Sequence, residues 1–315
     1  MVDKREEINQ KIAQLEQLLA ETTEQPLTDY LDGLLHTKPI NYWDYIQLET
    51  LLNLQKPKTN IQDETIFITY HQICELMFLL IIQECHALCF NSSGALSVWQ
   101  KHLSRIIRYY KHLISSFDIM TEGLDKTEFL QFRVALFPSS GFQSFQYRKI
   151  ELYSSSLHQL IHAQNRNAIS PTAPLVEQYD ELYWKFGNRD FKTGKKTLTL
   201  KQFEAEYDDD LLRLAEQLET KNIRAKYLGL SQKEQENPEL IKLLKAYDQQ
   251  ANLFWPLVHM GAAKKFLAKS PEDLAATGGT NWQDYLPPSH QKIMFFPEVW
   301  GMEEKHKWDK SAKHS

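Results

Sequence analysis

An all-α fold is what this 315-residue sequence predicts, and three observations carry the prediction. Glycine is scarce at 11 residues and proline at 12, too few for the turns of a β-rich chain. Apolar residues recur at helical spacing over long segments, with no convincing β-alternation. Hydrophobic residues reach 42%, enough for a substantial core in one large domain or two ordinary ones. Aromatic residues (7 Trp, 14 Tyr, 16 Phe) suggest an interior lined with rings.

The elements follow in order. Residues 3–22 form a charged amphipathic helix with no signal-peptide core. A second helix covers 42–54. The third, 64–91, is the most apolar, yet carries His71 near its head, Glu75 one turn later and His86 near its end. Its longest unbroken apolar run, Leu76 to Ile82, is far short of a membrane crossing. Further helices are expected over 95–117, 127–137, 142–165, 173–186, 200–219 and 238–267. Segments 165–174, 186–197 and 269–290 read as loops, the last with a Gly-Gly and a Pro-Pro pair. The C-terminal KHKWDKSAKHS reads as frayed.

The net charge of −5 and the lack of a basic block beyond KTGKK argue against nucleic-acid binding. Cys74, Cys85 and Cys89 sit on one apolar helix. An odd count there suits reduced thiols in a cytoplasmic, soluble protein and not a disulfide framework.

On a helix, Phe67, His71, Glu75 and Phe78 share a face. His71 is either a core histidine with a hydrogen-bond partner or a pocket-lining group. His259, in NLFWPLVHMGAAKKFL, is open to the same two readings. The small residues after it would admit a bulky planar group, and Pro256 should kink the helix or remove a backbone bond. Neither histidine belongs to an HxxxH or HExxH pattern, so zinc is poorly supported. Two isolated histidines on separate apolar helices better suit the two faces of a haem. Arg133, beside Phe129 and Phe132, is either a surface ion-pair partner or a clamp for a carboxylate. The ATGGT loop, which includes Thr277, is a weak signal by itself.

Taken in order, INYWDYIQLETLLNLQKPKT, DETIFITYHQICELMF, EFLQFRVALFPSSGFQSFQYRKIE, WPLVH, ATGGTNWQDYL and FFPEVW closely resemble the tryptophan 2,3-dioxygenase family over roughly residues 38–300. The HQ-x-x-EL block and the FR-x-x-L-x-x-SSGFQS-x-QYR-x-IE block are the specific ones. The resemblance implies a large helical bundle enclosing a haem b pocket, in a cytoplasmic homotetramer whose N-terminal segment is exchanged onto a neighbouring subunit. It implies that L-tryptophan and O2 give N-formylkynurenine, the first step of the kynurenine pathway. By matching motif, His259 corresponds to the proximal iron ligand and His71 to the distal histidine that accepts from the indole N–H. Phe67 would pack on the indole. Arg133 would pair with the substrate carboxylate, and Thr277 with its ammonium and carboxylate. Phe129 would line the substrate pocket, and Tyr42, Tyr45 and Ile46 would reach a neighbour's pocket. The domain reading is an N-terminal extension over 1–37, a catalytic domain over 38–304 and a disordered tail over 305–315.

The chain departs from the family pattern at the pocket rim. Phe129 stands where tyrosine is common, ELMFL replaces ELWFK, and ATGGTNW replaces GTGGSSG. These changes bear on substrate choice more than on the iron site. Two alternatives accompany the main reading: a related haem-dependent monooxygenase acting on a modified tryptophan or tyrosine, and a non-catalytic protein that binds haem and tryptophan.

Overall fold

The computed structural model describes residues 3–23, 25–90, 94–189, 193–267 and 288–310. The described residues are all-α. They contain no strand, only isolated bridges pairing Ile161 with Leu182 and Arg189 with Lys196. Two compact units divide the chain, Met1–Leu54 and Gln55–Ser315.

The first unit holds α1 (Lys4–Thr22), α2 (Leu27–His36), α3 (Tyr42–Tyr45) and α4 (Leu48–Leu52). The Asp3 side chain accepts from the Arg5 amide and caps α1. The expected helix over 42–54 is broken at Gln47, which takes a left-handed φ of 51°.

The second unit is built around α5 (Asp63–Phe90), which packs on α6 (Leu96–Ser115) and α9 (Phe145–Ser154). Tyr70, Cys74, Phe78, Ile81, Cys85 and Leu88 recur at three- and four-residue spacing and form its buried stripe. On length and composition α5 could cross a membrane, but 39% of its most apolar window is buried inside the fold. The three cysteines are free and buried. Between α6 and α9 come α7 (Asp118–Thr121), α8 (Lys126–Phe132) and 3-10 turns at Arg133–Leu136 and Gly141–Gln143.

The helix expected over 142–165 is instead α9 and α10 (Leu157–Leu160), separated by an extended Ser155 and Ser156. The Ser155 hydroxyl donates to the Phe295 carbonyl at 2.8 Å, so a tertiary bond replaces the helical continuation. Next are α11 (Leu175–Asp180), α12 (Tyr183–Phe186), α13 (Leu198–Leu218), α14 (Ile223–Leu228) and α15 (Gln232–Gln235). Lys185 on α12 is fully buried, 2.8 Å from Asp208 and 3.1 Å from Glu204 on α13. Its ammonium also lies 4.0 Å from the Tyr179 ring centre. This cage fixes the flanking Tyr183 and Trp184.

The expected helix over 238–267 is a compound one. It comprises α16 (Pro238–Gln249), a π-helical turn (Gln250–Phe254) and α17 (Trp255–Leu267). Pro256 explains the π turn. Trp255 N–H donates to the Gln250 carbonyl, and the same pattern would have Pro256 donate to Ala251. Proline has no N–H to give, and the Tyr147 hydroxyl serves the Ala251 carbonyl instead at 3.0 Å. The chain closes with α18 (Pro288–Gln291) and α19 (Met302–Lys310).

Residues 302–310 form α19. Trp308 there is buried, with its ring centre 5.1 Å from that of Trp300. That ring is the main apolar anchor of an otherwise polar helix.

Candidate functional site

Helix α5 presents Phe67 and His71 because its start is tied down. Glu64 is buried in the first turn and accepts from Lys58 N and Thr59 N at 2.7 Å each and from the Thr59 hydroxyl at 2.6 Å. Burial alone would raise its pKa, but these bonds hold it below the ordinary value. Asp63 and α8 are bonded in both directions. Asp63 Oδ2 accepts from Asp125 N at 2.6 Å, and Glu128 Oε2 accepts from Asp63 N at 3.3 Å. Asp125 also caps α8, accepting from Thr127 N and Glu128 N. These bonds set α8 against the second turn of α5, where Phe67 meets Phe132 at 5.7 Å and Phe129 at 6.2 Å between ring centres.

A further wall comes from α17. His259 packs against Trp255 at 4.3 Å and Phe117 at 4.6 Å between ring centres. Trp255 in turn meets Phe78 of α5 edge-on at 5.8 Å. Between the walls lies a cavity of about 310 Å³, within the range of ligand sites. Its lining is mostly apolar and includes Phe67, Phe78, Phe117, Met120, Phe129 and Phe266. Ala262 and Ala263 keep the α17 wall shallow. Cys74 also lines it, and burial pushes that thiol up to about 12, so it is a protonated wall group at neutral pH.

Both histidines line the cavity, and both are held in the same way. His71 Nδ1 lies 2.7 Å from the Phe67 carbonyl, and His259 Nδ1 lies 2.9 Å from the Trp255 carbonyl. A carbonyl only accepts, so each Nδ1 carries the proton and each neutral ring is left with a lone pair on Nε2. Burial lowers the His259 pKa to about 4, with the neighbouring His71 pushing the same way. Burial also lowers that of His71, against the carbonyl bond and Glu75. His71 retains accessible surface, but it opens onto the cavity, so dense protein around the ring still disfavours its charge.

The donor set suits one kind of occupant. Among the described residues no cluster of three or more His, Cys, Asp or Glu could hold a bare metal ion. A metal ion held by a single imidazole would need the rest of its ligands from elsewhere, as a planar macrocycle provides. Apolar walls with small residues on one side fit such a group, and the Nδ1 bond orients the His259 ring as metal-ligating imidazoles are commonly oriented.

The cavity thus brings together four of the expected residues, Phe67, His71, Phe129 and His259. Arg133 is buried but does not line it. Its guanidinium lies 6.0 Å from the Phe137 ring centre, in the 3-10 turn directly after Phe132. Thr277 lies outside the described residues. Tyr42 and Tyr45 belong to the first unit, with 71% and 74% of their surfaces exposed, and Ile46 is half-buried. His86 stands apart on the exposed side of α5, against Phe90.

Sequence reasoning missed several lining residues. Met120 comes from the short α7 and Phe117 from the residue just before it, and Tyr147, Arg148 and Tyr183 close another part of the cavity. Gln146 bridges α9 to α5, its amide donating to the Glu75 carbonyl at 2.8 Å and carboxylate at 2.9 Å. The motif Gln-Tyr-Arg was legible as part of a specific block, but nothing in its spacing separates a pocket arginine from a surface ion pair.

Residues 34–168 match the family model described as tryptophan 2,3-dioxygenase. A tryptophan 2,3-dioxygenase of Bacillus thuringiensis subsp. konkukian is 30% identical over 280 residues, covering 84% of this chain and 92% of the relative. Relatives of the same name from Shewanella woodyi and a Polaromonas species are 27% and 26% identical. They cover 86% and 89% of this chain and 93% and 92% of their own lengths.

Proposed function

The chain belongs to the tryptophan 2,3-dioxygenase family, and from that premise we propose that its cavity holds haem b and opens the indole ring of L-tryptophan with O2, giving N-formylkynurenine. The observation that carries the site assignment is the pair of neutral imidazoles lining one cavity from two different helices, each with Nδ1 bonded to a carbonyl and Nε2 left to act. Bound there, haem supplies the oxygen chemistry.

The protein's own residues divide the remaining work. His259 holds the iron, its tautomer set by the Trp255 carbonyl. His71 accepts from the indole N–H, which a neutral ring can do and a protonated one cannot. Phe67, with ring centre 4.1 Å from that of His71, gives the indole a flat apolar neighbour. Phe129 closes the same wall. Arg133 is assigned to the substrate carboxylate, and Thr277 to the carboxylate and ammonium. Apolar walls exclude water from the reacting groups.

Replacing Arg133 by Ala is expected to weaken L-tryptophan binding by about 2–5 kcal/mol, the cost of losing the partner of a buried charge. The readout is the KM for L-tryptophan, and an unchanged KM removes the arginine from the substrate site. His71→Ala is expected to retain haem and part of the activity, because the ring orients substrate and is not the oxidant. Loss of haem from that variant would reverse the two faces of the site.

The assembly follows the same reading. The first unit exposes Leu35, Ile40, Tyr42, Trp43 and Tyr45, each by more than half of its surface. An apolar surface of this kind is costly in water, which supports a homotetramer in which the N-terminal segment, with Tyr42, Tyr45 and Ile46, completes a neighbour's pocket. We place this enzyme in the cytoplasm, in keeping with its free cysteines, with an N-terminal extension over 1–37 preceding the catalytic region.

The function is tested by adding L-tryptophan and oxygen to the reduced, haem-loaded protein and weighing the product. A gain of two oxygen atoms with ring opening is expected. A gain of one would instead assign a monooxygenase.

A further inference from the structure

The cavity is mostly apolar, and among the described residues that line it Arg148 is the one guanidinium or ammonium group, set where α9 meets α12. Arg148 lines it there, with only 5% of its surface exposed. Its guanidinium carbon lies 4.9 Å from the Tyr147 ring centre, 5.5 Å from Trp184 and 5.7 Å from Tyr183, so aromatic rings fix its position. Ser144 and Tyr183 line the cavity beside it. Arg148 N donates to the Ser144 carbonyl at 3.2 Å, and an Arg148 terminal nitrogen lies 3.4 Å from the Tyr183 hydroxyl.

Glu151 lies one turn further along α9, 3.2 Å from the guanidinium and 2% exposed. Burial pushes its carboxyl up, against the opposing pull of Arg148 and the Tyr183 hydroxyl, which donates to it. A guanidinium has five donors in a fork and can serve a second carboxylate beside the first.

An occupant that fits this cavity is apolar across its faces, takes a nitrogen lone pair from His259 and carries an anion at one edge. We propose that Arg148 anchors a carboxylate on the edge of the macrocycle, a haem propionate, with Ser144 and Tyr183 as flanking hydroxyls. The proposal rests on the haem reading above. It gives the two buried arginines separate tasks: Arg148 would hold one edge of the macrocycle, and Arg133 would serve the substrate.

The test compares haem with haem dimethyl ester, whose propionates carry no charge. Haem-free wild type and Arg148→Met are titrated with each, following the Soret band, and loss of haem to excess apomyoglobin is timed. Wild type is expected to prefer haem over the ester by about tenfold or more, the effect of one charge-assisted contact. In Arg148→Met that preference should fall toward unity, the signature of a direct pair in a double-mutant cycle. Arg148→Lys, which keeps the charge and loses the fork, should retain an intermediate preference.

Equal affinity of wild type for haem and ester would overturn the proposal, whatever the fate of the variants. So would a preference that survives in Arg148→Met. An unchanged haem preference with a raised KM for L-tryptophan would hand Arg148 to the substrate carboxylate and overturn it as well. A wild type that takes up neither macrocycle would bring down the haem reading, and this proposal with it.

Discussion

His259→Ala is expected to give a folded protein that retains almost no haem. The substitution leaves the aromatic wall of Phe117, Trp255 and Phe78 standing but removes the imidazole from it. His71 does not replace it readily in this account, because its Nε2 is committed to the substrate side. The same change should cost the haem-free protein little stability, since a half-buried neutral imidazole with one hydrogen bond contributes about 0.5–1.5 kcal/mol. Absorbance at the Soret band together with thermal melting separates the two effects. Full haem loading would remove His259 from the iron.

Asp248→Ala is expected to be the most destabilising single change outside the cavity. Its fully buried carboxylate accepts from Asn252 Nδ2 at 2.7 Å, Phe295 N at 2.8 Å, Phe296 N at 3.2 Å and Trp300 Nε1 at 2.9 Å. It thereby fastens the returning C-terminal segment to α16 and to the π turn that leads into the His259 helix. Removing it leaves four buried donors without their acceptor, each costing about 1–3 kcal/mol before relaxation. A net loss of about 3–5 kcal/mol and a melting temperature lower by roughly 10 °C are expected.

A pH dependence accompanies Asp248. Burial pushes its pKa from 3.8 up to about 6, against its N–H donors. A raised folded-state value means that the native state holds the proton more tightly than the unfolded chain. The proton-linked part of its contribution is therefore fully present below pH 3.8 and is lost as pH rises through about 6, while the hydrogen bonds to the carboxyl oxygens remain. Asp248→Asn should flatten that part of the stability profile. A melting temperature unchanged by the alanine substitution would contradict this account of the segment.

Much of the architecture was legible because 3.6-residue periodicity is a direct imprint of a buried stripe. α1, α5, α6 and α13 lie close to where the spacing places them. The misses share a cause, which is tertiary bonding that local pattern does not encode. α2 is a short helix entered from Pro26 with no side-chain cap, so its ends carry little signal. The break at Ser155 depends on a carbonyl 140 positions away. Pro256 did announce a disturbed helix, but only the Tyr147 hydroxyl on another element turns that disturbance into a satisfied π turn.

The site divides along the same line. Phe67, His71, Phe129 and His259 were readable from motif and face, and the structure gathers them around one cavity. Arg148 was not, because an Arg and a Glu three residues apart on a helix look like a solvent-facing ion pair. Asp248 was hidden in YDQQAN, a polar stretch that reads as a wet helix face and is instead buried.

Titrating the haem-free protein with haem tests the central claim most directly. One equivalent per chain, with a Soret spectrum that His259→Ala abolishes and His71→Ala preserves, is the predicted result. A protein that stays colourless through the titration, or one whose spectrum ignores the loss of His259, would contradict it.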